Sequence, residues 1–351
     1  VVRLVLAVAA QKGWLIHQVD YSNAFLQGKL DREVYMAIPE MMEGSHKGKV
    51  CLLLKSLYGL REAPRIWYEL LCKDLKAVGL KPMPSAPCVF LGDGVMLLCY
   101  VDDLLVMAED KTKLKSLKRK LAEHLPANDM GLATDFLGMK LVHGKNSVVL
   151  AQSKYAEALV RDLKLTNCRG SIVPADPAVD LSTPGKEAAD DDFPYRSVIG
   201  SLLYMATHTR PDIAVATSML ARHVENPSKK HQKAVMKVVK YLKLKPDFGL
   251  KLCAGDGNQL SAYVDANWGG EPGSNRRSRS GIVLFYGNAA IHFTSTLQKC
   301  VTLSSTEAEY VALSEASKAI IWLRRVLEEL GIKQKTTEIF EDIAGTFKWT
   351  E

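Results

Sequence analysis

The sequence predicts an α+β protein with room for two cores, and three observations carry that reading. Strand signals pair as an antiparallel hairpin, residues 88–91 and 95–101 flanking the turn dipeptide Asp93-Gly94. Helical stripes alternate with the strands: Ile66, Trp67, Leu70, Leu71, Leu75 and Val78 recur at three- and four-residue steps. An aperiodic stretch, 169–194, separates front from rear; it holds Pro174, Pro177, Pro184, Pro194 and the run Asp190-Asp191-Asp192. At 351 residues, 47% hydrophobic and 24% charged, the composition is globular, and ~150 residues per domain leaves space for two domains.

The elements follow in order. Residues 1–11 read as a helix and 14–20 as a short strand after a break at Gly13. Residues 33–38 make another strand, closed by Pro39. The second half of 55–79 is a helix with Pro64 at its first position, where a missing N–H costs nothing, and Gly79 at its stop. After the hairpin, Asp102-Asp103 interrupts the apolar run, and residues 104–108 resume it. A basic helix spans 111–125, and strands 136–142 and 148–152 surround Gly144-Lys145-Asn146. Beyond the Pro-rich stretch, 197–222 and 228–243 are helical. Strands return at 259–265, 281–286 and 289–295, followed by a long helix, 304–330, and a last strand, 337–340.

Composition also excludes several classes. No apolar run approaches the ~20 residues of a membrane helix, since 1–10 is interrupted by Arg3. The seven cysteines form no CxxC pair and no ligand-like spacing with the eight histidines, which argues against zinc and against a disulfide framework. The first residue is Val, with no basic segment and cleavage site of a leader, so the chain reads as a piece of something longer. A net charge of +7 permits a polyanionic partner without demanding one.

Asp102-Asp103 is the most informative pair. Two adjacent carboxylates between strongly strand-forming runs repel each other unless a cation neutralises them. Hard cations such as Mg2+ favour carboxylate oxygens and complete their shell with substrate phosphates. On this ground alone, a hairpin turn and a metal site stand about equal.

Three boxes in order then carry a resemblance: residues 17–28 (HQVDYSNAFLQG), 55–65 (KSLYGLREAPR) and Tyr100-Val101-Asp102-Asp103. Together they resemble the reverse transcriptases of copia-type LTR retrotransposons. The resemblance implies a polymerase palm, an antiparallel sheet with helices on one face over roughly 1–125, and a thumb-like part completing a domain of residues 1–168. A Pro-rich linker and helical connection at 169–249 follows, then an RNase H-like α/β domain at 250–351. It implies two Mg2+ ions per active site, with Mn2+ as a substitute, held in the first site by Asp20 and Asp102 with Asp103 in support. It places Tyr21, Phe25, Tyr58 and Gly59 around the incoming nucleotide, Phe25 as the ring that excludes a 2′-hydroxyl. It places residues 136–140 at the primer end. The implied partners are an RNA template, a DNA primer, an RNA–DNA hybrid, deoxynucleoside triphosphates and other Pol and Gag regions, in cytoplasmic virus-like particles and with no membrane.

A second acidic set resembles the family's RNase H site. Asp265 ends one strand, Glu307 opens the long helix and Asp342 follows the last strand; by position these are the catalytic and metal-binding carboxylates. Ser304 with Glu307, and Thr306 with Glu309, also fit capping boxes, which alone would explain either glutamate. Lysine-rich helices and an arginine-bearing hairpin supply candidate contacts to a phosphate backbone: Lys111, Lys115, Lys118 and Arg119, then Lys233 and Lys237, then Arg276, Arg277 and Arg279. The resemblance puts the fingers strands upstream of residue 1 and the last RNase H acid beyond Glu351, and Ile343 stands where the family has Asn. These departures motivate a second reading, a catalytically inactive relic or a domesticated non-specific nucleic-acid binder.

Overall fold

The computed structural model describes residues 1–41, 48–124, 127–176, 178–181, 183, 185–253, 257–269 and 275–342. Contacts group Trp14–Ala133 into one unit, and Val1–Gly13 with Thr134–Glu351 into another.

The opening helix α1 (Val2–Gln11) belongs to the larger unit. The smaller unit begins at β1 (Leu15–Tyr21), with a two-stranded ribbon of β2 (Tyr35–Ala37) and β3 (Val50–Leu52) beside the main sheet. The helix α2 (Ala63–Ala77) starts with Pro64 in its first turn and runs into Gly79, whose φ of +91° ends the helix. The strands β4 (Lys81–Met83), β5 (Ala86–Gly92), β6 (Val95–Tyr100) and β7 (Asp103–Ala108) follow, then the helix α3 (Lys111–His124) and β8 (Ala127–Leu132). The sheet order is β4-β5-β6-β7-β1-β8, with antiparallel pairing throughout. Trp67, Leu71 and Leu75 step by four along α2, and Leu114, Leu117 and Leu121 form the stripe of α3. Both stripes pack into one core with Val19, Tyr21, Phe90, Leu97, Leu104 and Val106. Each fully buried large side chain there contributes roughly 1.5–3 kcal/mol. The result is an antiparallel sheet carrying its two helices on one face, which is the expected class.

In the larger unit, β9 (Asp135–Phe136), β10 (Met139–Gly144), β11 (Ser147–Ala151) and the distant β12 (Gly249–Cys253) form one sheet in the order β12-β11-β10-β9. Only glycine fits at 249, where a Cβ would lie 2.1 Å from the Leu150 carbonyl oxygen. The helices α4 (Ser153–Asp162), α5 (Tyr195–His208), α6 (Ala214–Ala221) and α7 (Lys229–Leu244) share a core through Ala156, Leu202, Leu220, Val235 and Leu242. A second sheet contains β13 (Leu260–Asn267), β14 (Arg279–Tyr286), β15 (Ala289–Leu297) and β16 (Glu338–Phe340) in the order β15-β14-β13-β16, with β16 parallel to β13. The long helix α8 (Ser305–Glu329) packs on β13 and β14.

Several expectations change. The helix expected over 197–222 is two, joined by a 3-10 turn at Pro211–Ile213. Pro211 has no N–H to continue the ladder and pushes Arg210 out of the helical region, to φ −124° and ψ 67°. The strand expected over 136–142 is a hairpin, turned at Leu137 and Gly138 by positive φ values of 51° and 69°. The structure adds α4, β3, β4 and β8 to the expected elements. The Pro-rich stretch lies against α7: Lys229 N–H donates to the Glu187 carbonyl at 2.9 Å, Ala189 N–H donates to that of Pro227 at 3.0 Å, and Leu181 is buried in the helical core. The division expected at 168/169 therefore falls inside the larger unit, because β12 returns to pair with β11 across it. Leu125, Pro177, Pro184 and Ile343 lie outside the described residues.

Candidate active sites

The first site is built where β1 meets the β6–β7 hairpin. Antiparallel register sets Asp20 directly opposite Asp103, and Asp103 opposite Tyr100. The two-residue connection is Val101-Asp102, so the hairpin-turn and metal readings describe the same residues. The turn lacks the glycine such a connection ordinarily uses: Val101 holds φ at +58°, which costs a β-branched residue on the order of 1–2 kcal/mol. Val19 and Tyr21 face the core, so Gln18 and Asp20 alternate to the opposite face. There Gln18 Nε2 donates to Asp103 Oδ1 at 2.9 Å. Burial pushes the Asp103 carboxyl up, the Gln18 hydrogen bond opposes the rise, and the negative charges of Asp102 and Asp20 add to it. All three carboxylates are half-buried, in reach of solvent and of one another's charge.

Of the nucleotide candidates, Tyr21 is placed elsewhere. Its ring is buried edge-on to Trp67 with centroids 4.3 Å apart, and burial pushes its phenol up to about 12. The ring of Tyr21 is thus part of the core beneath the sheet. Phe25 is half-buried, its ring packed edge-on to that of exposed Tyr58 at 4.6 Å. Gly59 sits at φ +96°, a conformation that reserves the position for glycine. The hairpin at 135–144 buries Phe136 and Met139, and the Leu137 carbonyl accepts from Tyr204 Oη at 2.6 Å, which is ordinary core construction.

The second site lies on the second sheet. Asp265 on β13, Glu309 on α8 and Asp342 after β16 bring one carboxylate oxygen each within 4.8 Å of the others, the one such group of three among the described residues. Glu307, the residue expected here, stands outside it. Its backbone N–H donates to Ser304 Oγ at 3.1 Å, and its Oε2 accepts from Leu303 N–H at 2.6 Å, so it helps to cap the start of α8. Glu309 replaces it. Two residues further along α8, its side chain points about 200° away from that of Glu307, inward to β13, where Oε1 accepts from Ala266 N–H at 2.8 Å.

The other oxygen, Oε2, is buried with no hydrogen-bond partner. Burial pushes the Glu309 carboxyl up to about 7 against the Ala266 hydrogen bond, with Asp265, Glu341 and Asp342 raising it further. An orphaned acid oxygen aimed into a cluster of like charges is what a hard cation would relieve. The donor set, three carboxylates, fits Mg2+ or Mn2+ and not a soft metal.

The basic candidates divide. Lys111 and Lys115 are exposed, and exposed Arg119 is paired with Glu123 at 2.6 Å. Lys118 is committed internally: Nζ lies 2.5 Å from Asp129 Oδ1 and 2.7 Å from His17 Nδ1, with the side chain 13% exposed. Lys237 pairs with Asp176 at 3.2 Å, and with exposed Lys233 it borders a cavity of about 410 Å3 floored by Leu181, Ala216 and Leu220. Arg276 is exposed at φ +57° and Arg277 is half-buried. Arg279 is buried and donates to Ser218 Oγ at 2.6 Å, so it braces β14 and does not reach outward.

With this geometry in place, comparison with known proteins is informative. Residues 1–177 match the family described as reverse transcriptase (RNA-dependent DNA polymerase). The chain belongs to the reverse transcriptase family. It is 38% identical to the Pol polyprotein from transposon TNT 1-94 of Nicotiana tabacum, over 97% of this chain and 27% of that polyprotein. It is 34% identical to the Pol polyprotein from transposon RE1 of Arabidopsis thaliana, over 95% of this chain and 23% of that one. The chain thus spans about a quarter of the length of these relatives. A solved structure of a foamy viral protease-reverse transcriptase with an RNA/DNA hybrid has a TM-score of 0.50 at 15% identity, covering 94% of this chain and 38% of that chain. That likeness supports the reverse transcriptase fold class. No helix among the described residues is long and apolar enough to cross a membrane.

Proposed function

We propose that the chain is the RNA-directed DNA polymerase and RNase H region of a copia-type retrotransposon Pol polyprotein. In this reading the unit of residues 14–133 is the polymerase palm, and the β13–β16 sheet with α8 is the RNase H-like domain. The observation that carries it is the register of β1 on β7, which sets Asp20 beside Asp103 with Asp102 on the adjoining turn, inside three boxes of family wording. Asp20 and Asp102 would hold divalent cations, with Asp103 in support. Such ions supply the positive charge that offsets a triphosphate and the developing charge of in-line displacement. The protein's own part is to hold carboxylates together at a strand junction that is partly open to solvent. Phe25 and Tyr58 offer an aromatic wall beside them.

At the second site, Asp265, Glu309 and Asp342 would hold the cations of an RNase H reaction on the RNA strand of a hybrid. Exposed Lys111, Lys115, Lys233 and Arg276 are the phosphate contacts of the reading. An RNA template, a DNA primer, deoxynucleoside triphosphates and the companion Pol and Gag regions are the proposed partners, in cytoplasmic particles.

Primer extension on an RNA template, by this chain and by the polyprotein containing it, tests the proposal. Mg2+-dependent extension that Asp102→Asn lowers on the order of 1,000-fold, several kcal/mol of transition-state stabilisation, is the expected result. Extension that survives Asp102→Asn overturns the metal site. Nucleic-acid binding without any extension in either protein favours the relic.

A further inference from the structure

Asp102 sits on a two-residue turn whose first central residue, Val101, is one few sequences would choose. Its φ of +58° suits glycine, and its side chain is 38% exposed, so packing alone does not hold it there. Two-residue hairpins take type I′ or type II′ turns. Positive φ at Val101, with Asp102 absent from the positive-φ residues, is the sign pattern of type II′. The two types differ by a flip of the central peptide, whose carbonyl is that of Val101. After the flip, Asp102 takes positive φ, which aspartate tolerates better than most residues, and its carboxylate is re-aimed.

That carbonyl is held from α2. Trp67 Nε1 donates to it at 2.8 Å, and the Cys99 thiol approaches it at 3.5 Å. Burial pushes the Cys99 thiol up to about 12, so it keeps the proton it donates. The next carbonyl, that of Asp102, accepts from Tyr21 N–H at 3.0 Å. The peptide groups on both sides of Asp102 are therefore pinned, one by the main chain of β1 and one by a side chain. Trp67 is 3% exposed, its ring edge-on to Tyr21. An apolar cavity of about 180 Å3 borders both Trp67 and Val101. Without the indole N–H, the carbonyl would face that cavity with only a weak S–H donor, and flipping toward water would satisfy it.

We propose that Trp67 is a positioning residue: its indole N–H selects the turn conformation that presents Asp102, and so sets the aim of the first site's carboxylates without touching substrate. The inference rests on the reading of Asp102 as a metal-binding carboxylate.

Trp67→Phe keeps the ring and removes the donor. The expected crystal structure of this variant shows the Val101–Asp102 peptide flipped, with Asp102 at positive φ. Primer extension falls at least tenfold, the Mg2+ concentration for half-maximal rate rises at least threefold, and the melting temperature stays within a few degrees. Val101→Gly in the Trp67→Phe background recovers most of the rate, because glycine at the first central position favours type II′ again. An unflipped turn with unchanged rate overturns the proposal. A rate loss that follows the melting temperature and resists Val101→Gly also overturns it, leaving Trp67 a packing residue. Asp102→Asn in the same assay separates the two readings. If that variant keeps its rate, the metal assignment falls, and the flipped or unflipped peptide of Trp67→Phe still decides whether the indole holds the turn.

Discussion

The two acidic sites solve the same problem in different ways. At the β1–β7 junction the carboxylates are half-buried and spread over a strand end and a turn, with Asp20 directly opposite Asp103. On the second sheet one carboxylate oxygen from each of three acids already lies within 4.8 Å of the others, and Oε2 of one of these acids, Glu309, is buried without a partner. The first arrangement leaves its carboxylates partly exposed to solvent. The second holds electrostatic stress in the folded chain, visible as a Glu309 carboxyl pushed up to about 7. The difference teaches that an assembled carboxylate cluster needs a rigid frame to hold it against repulsion. Here the 25-residue helix α8, docked on β13, is that frame.

The strongest way to break this contrast is to neutralise Glu309 and Glu307 of α8 one at a time. Glu309→Gln is expected to lower Mg2+-dependent cutting of the RNA strand of a hybrid on the order of 1,000-fold, with primer extension unchanged. Glu307→Gln should leave cutting within about twofold, since that residue only caps the helix. Gel analysis of a labelled hybrid reads both; equal losses from the two variants would return Glu307 to the site.

A second test follows from the sign of the Glu309 shift. Its folded value, about 7, lies above the ordinary carboxylate range, so the folded state disfavours the charged form. Without divalent ions, stability should be greatest below about pH 4.5, fall as pH rises toward 7, and level off beyond. At ~1.4 kcal/mol per unit the span is at most roughly 3–4 kcal/mol. Glu309→Gln should flatten this part of the curve, and millimolar Mg2+ should restore stability at pH 8 in the unaltered chain but not in Glu309→Gln. Urea titrations from pH 5 to 8 would show it. A slope unchanged by the substitution contradicts the assignment.

The palm side carries its own contrast. Lys118→Met should cost about 1–2 kcal/mol, by stripping Asp129 and His17 of a shared partner, and leave the salt dependence of nucleic-acid binding as it was. Lys115→Ala should leave stability within ~0.5 kcal/mol and lower the salt slope by about 1. Fluorescence titration at several salt concentrations distinguishes them. Loss of the α8 cap is also expected to be small: Glu307→Gln should lower stability by about 0.5–1 kcal/mol.

Much of this was legible in the residues. The hairpin about Asp93-Gly94, the stripe of α2 and the pair Asp102-Asp103 are local signals, readable over a dozen residues. The break at Pro211 was present in the sequence, yet it was read through because the apolar periodicity continues on both sides. The strand β12 could not be assigned to its sheet, since its partner β11 lies about a hundred residues earlier. Tyr21 and Lys118 have the residue types of ligand contacts, and each is taken up by a neighbour distant in the chain, Trp67 and His17. The capping pattern fits Glu307 and Glu309 alike, and position in the family resemblance points to Glu307; which of the two faces β13 depends on how α8 is docked.

What the sequence by itself determined is the inventory and its order: which carboxylates lie at strand ends, which helices are amphipathic, where chain direction reverses. Those follow from backbone geometry and side-chain periodicity over short windows. The tertiary structure alone decided which acids meet. Asp265, Glu309 and Asp342 are far apart in the chain, and their convergence depends on the parallel pairing of β16 with β13 and on the rotation of α8 about its axis. Rotation is the deciding quantity: at about 100° per residue, a shift of two positions turns an acid from the helix cap to the buried side.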